Sequence, residues 1–78
     1  MPNDPPIIFS RHALIKLEQR RLTKEVVVKT IGSPSYLTTA GENTHAFRKF
    51  GKLYLKVIFT RTQNSIMVIT QHWVSELP

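Results

Sequence analysis

The sequence predicts an α+β fold in which two N-terminal helices pack on a four-stranded antiparallel sheet. The first half of the chain has apolar residues at helical spacing, and the second half alternates between apolar and polar residues with a period of two. Short connections separate the alternating segments, which favours antiparallel neighbours. The length of 78 residues allows one domain, which we place at residues 7–78 after a flexible, proline-rich arm at residues 1–6.

The first helix is expected at residues 11–21, because Ser10 is a good N-cap and no glycine or proline interrupts the segment. A second, shorter helix is expected at residues 24–31. The three valines of that segment also suit a strand, since β-branched residues are poor helix formers. We favour the helix because Gly32 and Pro34 stand where a helix would end.

Four strands are expected at residues 36–40, 44–50, 53–62 and 66–74. The segments between them contain Gly41, Gly51 and Asn64, which are residues typical of tight turns. One face of the sheet has to be buried against the two helices. In the last strand, strict alternation places Met67, Ile69, Gln71 and Trp73 on one face and Ile66, Val68, Thr70 and His72 on the other.

The balance of charge points to an acidic polymer as the partner. The chain has 11 Lys and Arg residues against 5 Asp and Glu residues, which gives a net charge of +6. So strong an excess of positive charge attracts polyanions, and nucleic acid is the commonest polyanion in a cell. A basic domain that binds an acidic protein is the alternative.

Several kinds of site are missing from the sequence. It has no cysteine, so neither a disulfide nor a zinc–thiolate site is possible. The 5 acidic residues are scattered, which argues against a nuclease that clusters oxygen ligands around metal ions. We therefore expect no metal and no small-molecule cofactor. No segment resembles a signal peptide or is apolar enough to cross a membrane, so we expect a cytoplasmic protein.

The histidines and the many cations suggest cleavage of RNA without a metal. Such cleavage needs a base for the 2′-hydroxyl proton, an acid for the leaving 5′-oxygen and cations for the phosphate. Histidine serves as acid or base near neutral pH, and arginine matches phosphate oxygens. His12, Lys16 and Arg20 share one face of the first helix. Arg48 lies on the second strand and His72 on the last.

These residues also have simpler interpretations. His12 suits a solvated helix face, and His72 suits an exposed strand. Arg48 could pair with an acidic side chain such as that of Glu42. His45 follows a turn and is expected to be an ordinary surface residue, while Trp73 is expected to pack in the core rather than to stack on a base.

Short motifs along most of the chain carry a resemblance to a known family. They lie at residues 9–13 (Phe-Ser-Arg-His-Ala), 17–23, 26–34, 55–58 (Leu-Lys-Val-Ile) and 68–70 (Val-Ile-Thr). In these motifs the chain resembles a small prokaryotic family of unassigned function, which is itself similar to the RelE and BrnT type toxins of toxin–antitoxin pairs.

This resemblance implies a RelE-like order of two helices and four strands, with metal-independent cleavage of RNA by general acid and base catalysis. It also implies a cognate antitoxin protein as a partner. By position, the resemblance implicates His12 and Arg20 on the first helix, Arg48 on the second strand, and Thr70 or His72 on the fourth. The ribonuclease hypothesis uses all five as catalytic residues, with Lys16, Lys49 and Lys56 steering the RNA.

Two other functions are open at this point. A module that binds RNA or DNA without chemistry would use the same cations, and its affinity would fall steeply with salt. A toxin that acts on a protein target would ignore RNA, as do the toxins of this shape that poison DNA gyrase. We take the ribonuclease as the leading hypothesis.

Overall fold

A computed structural model describes residues 5–78, so most of the predicted arm at residues 1–6 lies outside the described residues. The described chain forms two helices and five strands. In chain order these are β1 (Ile7–Phe9), α1 (Arg11–Gln19), α2 (Lys24–Gly32), β2 (Tyr36–Ala40), β3 (Asn43–Phe50), β4 (Leu53–Arg61) and β5 (Ile66–Val74).

The sheet corrects the predicted architecture. It has five strands in the order β1-β5-β4-β3-β2, and β1 runs parallel to β5, with Ile7 opposite Ile66 and Phe9 opposite Val68. The prediction of four antiparallel strands was therefore wrong in strand number and in direction, although the α+β class is similar. The cause is the length of β1, because three residues are too few to show an alternating pattern.

Both predicted helices are present, and both begin at the predicted residue. Ser10 Oγ accepts a hydrogen bond from the amide of Ala13 at 3.0 Å, and Thr23 Oγ1 accepts one from the amide of Val26 at 3.3 Å. These bonds satisfy amides that have no partner within the first turn of a helix. The first helix ends at Gln19, earlier than predicted, and Arg21 then adopts a left-handed φ of 54°.

The two helices cover one face of the sheet, which we call the helix-covered face. There α1 packs mainly on β5, and α2 packs on β3 and β4. Gln71 is fully buried at this interface and donates from Nε2 to the carbonyl oxygen of Ala13 at 2.9 Å. The buried apolar core consists of Ala13, Leu17, Val27, Ala46, Leu55, Val57, Phe59, Ile66 and Val68.

A β-bulge in β5 changes which side chains face the helices. Ile58 pairs with Thr70 but Phe59 pairs with Val68, so Ile69 has no opposite residue. The carbonyl oxygen of Ile69 instead accepts a hydrogen bond from Ser10 Oγ at 3.0 Å. The extra residue reverses the alternation. Strict alternation was therefore wrong for this strand, and Gln71 joins Val68 on the helix-covered face.

Trp73 also lies on the helix-covered face, where it pairs across the strands with Leu55. Its ring meets that of Phe50 edge to face, with 6.0 Å between the centroids. The expected packing of Trp73 against the core is therefore confirmed. Among residues 5–78, neither helix is both long enough and apolar enough to span a membrane.

Candidate functional site

The opposite face of the sheet, which we call the outer face, gathers two histidines around a lysine. His72 on β5 lies directly opposite Lys56 on β4. On the other side of Lys56, β3 places Phe47 directly opposite and His45 two residues earlier on the same face. We name His45, Lys56 and His72, together with the nearby Arg20, the outer-face cluster.

Arg20 joins this cluster from the end of α1. The short β1 pairs only with the first half of β5, up to Val68. In the described part of the chain, the second half of β5 therefore has no strand at that edge, and α1 packs beside it on the helix-covered face of β5. Arg20, the C-cap of α1, is exposed and is close enough for its positive charge to act on His72.

Burial and positive charge hold both imidazoles of the cluster in the neutral form. Partial burial is the main cause that lowers the pKa of His72, and the charges of Lys56, Arg20 and His45 lower it further. Partial burial and then Lys56 lower the pKa of His45 in the same direction. At neutral pH each ring therefore has one nitrogen free to accept a proton or a hydrogen bond.

This electrostatic arrangement predicts that the protein loses stability in mild acid. The pKa values of His45 and His72 lie below the ordinary value of about 6.5 in the folded state, so the unfolded chain takes up protons first as the pH falls. The stability associated with the neutral rings is present above about pH 6.5 and is lost as the pH falls through the folded-state pKa values. Urea unfolding at about pH 7.5 and about pH 5 measures this loss.

The matched variant for that measurement is His72→Gln, which keeps a polar side chain but removes the titration. We expect its stability to depend less on pH than that of the unmodified protein. An equal or steeper dependence in the variant would show that His72 does not carry the effect.

Aromatic rings continue the outer face beyond Lys56. Tyr36 on β2 pairs with Phe47 on β3, and the two rings meet edge to face with 5.8 Å between their centroids. Lys56 Nζ lies 5.6 Å from the centroid of Phe47. Phe47 is only 3% exposed even though no helix covers this face.

Two more of the predicted residues lie on the outer face. Thr70 pairs with Ile58, which pairs in turn with His45, so the Thr70 hydroxyl belongs to the row next to His72. Lys49 is exposed and follows Phe47 by two residues. With Arg20, Lys56 and His72, these are the predicted residues that the sheet and the end of α1 bring together.

Arg48 lies on the other side of the sheet. It pairs with Leu55 of the core, its Nη1 donates a hydrogen bond to the carbonyl oxygen of Ser33, and its guanidinium lies 5.7 Å from the centroid of Phe50. Arg48 is thus separated from the outer-face cluster by the sheet itself. Its visible contacts hold the segment after α2 against β3, and they do not include the acidic Glu42.

The predicted residues at the other end of α1 are also apart from the cluster. His12 is exposed near the first turn. It precedes Arg20 by eight residues, which corresponds to about 12 Å along a helix. Lys16 Nζ donates to Gln19 Oε1 at 3.2 Å, a contact between neighbouring turns. The five predicted catalytic residues do not meet at one point.

Removing the Arg48 side chain is expected to lower stability without removing the outer-face cluster. Arg48→Ala loses the bond to Ser33, and a hydrogen bond from a charged group contributes about 1.5–3 kcal/mol. Because Arg48 is partly exposed, we expect a loss near 1–2 kcal/mol in the free energy of urea unfolding. Lys49→Ala, at the exposed neighbouring residue, should change this value by less than about 0.5 kcal/mol. Equal losses in the two variants would contradict this role.

His45 was not among the predicted site residues, because it was expected to be an ordinary surface residue. The signal that identifies it is the tight turn after β3, because this turn sets Phe50 opposite Leu53. Counting back from that pair places Phe47 opposite Lys56 and His45 on the same face beside them. The register of the hairpin was therefore readable from the sequence.

No family model, curated protein or solved structure matches this chain. The resemblance to RelE and BrnT type toxins therefore stays a prediction. In the part of the chain that the structure describes, no group of three or more His, Cys, Asp or Glu side chains is placed to hold a metal ion.

Proposed function

We propose that this protein is a metal-independent endoribonuclease whose site is the outer-face cluster. The observation that carries the proposal is the placement of His45 and His72 on the two strands that flank Lys56, with the charge of Arg20 beside them. Two imidazoles and two cations are the groups that this chemistry requires. Adjacent strands are about 4.8 Å apart, and His45 is offset from His72 by two residues, or about 7 Å, along the strands, so the backbones of the two histidines lie roughly 12 Å apart, with room for a phosphate between the side chains.

The reaction follows from these groups. The 2′-oxygen of a ribose attacks the adjacent phosphorus, so a P–O2′ bond forms and the P–O5′ bond breaks. His45, as a neutral imidazole, accepts the 2′-hydroxyl proton. His72, once protonated, donates a proton to the departing 5′-oxygen. Lys56 and Arg20 stabilise the negative charge on the phosphate, and the products carry a 2′,3′-cyclic phosphate and a 5′-hydroxyl.

We propose that His72 becomes protonated when RNA binds. In the free protein, partial burial and then the nearby cations keep the pKa of His72 low. A bound phosphate brings negative charge next to the same ring, which raises the pKa of His72 and favours its protonated form. The Thr70 hydroxyl, in the neighbouring row, would orient the phosphate, and exposed Lys49 would steer the RNA to the outer face.

We also propose a cellular location and a protein partner for this chain. An enzyme that cleaves cellular RNA would work in the cytoplasm. The net charge of +6 suits an acidic antitoxin protein that blocks the same face, as expected for a toxin of a toxin–antitoxin pair.

The test is cleavage of RNA by the purified protein in the presence of a chelator. We expect new ends that carry 2′,3′-cyclic phosphates, identified by mass spectrometry. An oligonucleotide with a single 2′-deoxyribose at the cleaved position is the matched control, because it lacks the attacking oxygen and should stay intact there. RNA that stays intact, or cleavage that the chelator abolishes, would overturn the proposal.

A module that binds RNA without cleaving it is the second candidate. It is favoured by the lowered pKa values of both His45 and His72, because neither ring is a protonated acid at neutral pH before RNA binds. Such a protein would bind RNA with an affinity that falls steeply with salt and would produce no new ends.

A further inference from the structure

One row of side chains crosses four strands of the outer face. It runs from Tyr36 through Phe47 and Lys56 to His72, each directly opposite the next. We propose that this row selects single-stranded RNA, with an unpaired base stacked on Tyr36 while the adjoining phosphate lies at Lys56 and His72. The inference rests on the proposed binding of RNA to the outer face.

Tyr36 is the ring of this row that is open to a ligand. It is 40% exposed, and β2 is the last strand of the sheet, so no strand lies beyond it. Phe47 is its one aromatic neighbour in the row and meets it edge to face. A single neighbouring ring can cover at most one face of the tyrosine, so at least one face is not covered by Phe47.

Phe47 supports Tyr36 rather than binding a base itself. At 3% exposure its ring has no surface left for stacking, and it is held between Tyr36 and the Lys56 ammonium. A tyrosine held in this way loses little freedom when a base stacks on it, which favours binding. Lys56 contacts Phe47 at the aromatic end of the row and lies opposite His72 at the end proposed to bind phosphate.

The dimensions of the row suit a short length of RNA. With strands about 4.8 Å apart, the backbone at Tyr36 lies roughly 10 Å from Lys56 and roughly 14 Å from His72. The aromatic end takes a base and the charged end takes phosphate, which is the combination found where proteins bind single strands. The net charge of +6 draws the RNA to this surface.

Duplex RNA cannot use the aromatic end. Its bases are paired at their edges and stacked on both faces, so none is free to lie on Tyr36. A duplex would contact the cations alone. The affinity for RNA therefore has two contributions. The contacts with phosphate are available to single-stranded and duplex RNA alike, whereas the contact between a base and Tyr36 is available only to single strands.

The test measures binding of fluorescent oligonucleotides made of 2′-O-methyl RNA, which lacks the attacking hydroxyl and cannot be cleaved. We expect Tyr36→Ala to bind the single strand roughly 5- to 100-fold more weakly and to bind the duplex as the unmodified protein does. Tyr36→Phe keeps the ring and should bind normally. Leu37→Ala is the matched control, because Leu37 is 53% exposed on the same strand but on the helix-covered side.

A second measurement changes the RNA rather than the protein, so its first step does not depend on the folding of a variant. The unmodified protein is titrated with single strands in which one position at a time lacks its base. We expect one position whose missing base weakens binding by about the factor seen for Tyr36→Ala, and no further loss when the two changes are combined. If the protein binds RNA but neither change matters, this inference is overturned and the ribonuclease proposal stands. If it binds no RNA at all, both fail.

Discussion

Replacing His72 with glutamine should lower the rate of RNA cleavage by roughly 10²- to 10⁴-fold, the contribution typical of a positioned acid or base. Glutamine keeps a polar side chain of similar length on the outer face but cannot deliver a proton to the departing oxygen. Since the Lys56 and Arg20 cations remain, RNA should still bind, and the loss should fall mainly on the turnover rate rather than on affinity.

The matched control is His12→Gln, which removes an exposed histidine at the far end of α1. We expect its turnover rate to stay within about twofold of the unmodified protein, since about 12 Å of helix separates His12 from Arg20. Single-turnover assays of both variants and of His45→Gln compare the three histidines directly. A large loss in His12→Gln with none in His72→Gln would move the site to the start of α1.

Shortening Phe59 to alanine should lower the free energy of unfolding by about 3–5 kcal/mol. Phe59 is 2% exposed and is among the largest fully buried side chains of the core. It faces Val68 across β4 and β5, next to the bulge, so a cavity there opens between the sheet and the helices. A domain of this size has a total stability of about 4–12 kcal/mol, so this loss removes a large fraction of it and should shift the midpoint of urea unfolding to a clearly lower concentration.

Leu53→Ala provides the control for that loss. Leu53 lies on the same strand, but it is 41% exposed, so its truncation should lower stability by less than about 1 kcal/mol. Circular dichroism during urea unfolding measures both variants. A loss below about 1 kcal/mol in Phe59→Ala would mean that the core does not depend on this ring.

Much of the fold was readable from local patterns, and each error can be traced to a particular strand. Ser10 and Thr23 are strong N-caps, so both helix starts were predictable. The strand β1 was not, because its partner lies far along the chain and three residues carry no period. The bulge at Ile69 could not be predicted, because residues 66–69 are all apolar. The sequence there does not alternate between apolar and polar residues, so it does not show where the alternation of faces reverses.

Prediction of the candidate site required knowing which side chains of each strand lie on which face of the sheet. Alternation correctly placed Arg48 with Ala46, but only the packed structure shows that this face is buried against the helices. His45 and Lys56 could be matched through the tight turn that joins β3 and β4. The position of Arg20 near His72 could not be predicted, because it depends on how α1 packs against β5, a strand that lies far from α1 along the chain.

The parallel pairing of β1 with β5 has a consequence during synthesis. Ser10 and Ile69, which are joined by a hydrogen bond, are 59 positions apart, so β1 leaves the ribosome well before its partner strand β5 has been made. Until β5 emerges, β1 and α1 lack the strand on which they pack, and His72 cannot approach Arg20. A nascent chain would therefore lack the outer-face cluster, and under the proposed nuclease function it would become active only when β5 has left the exit tunnel.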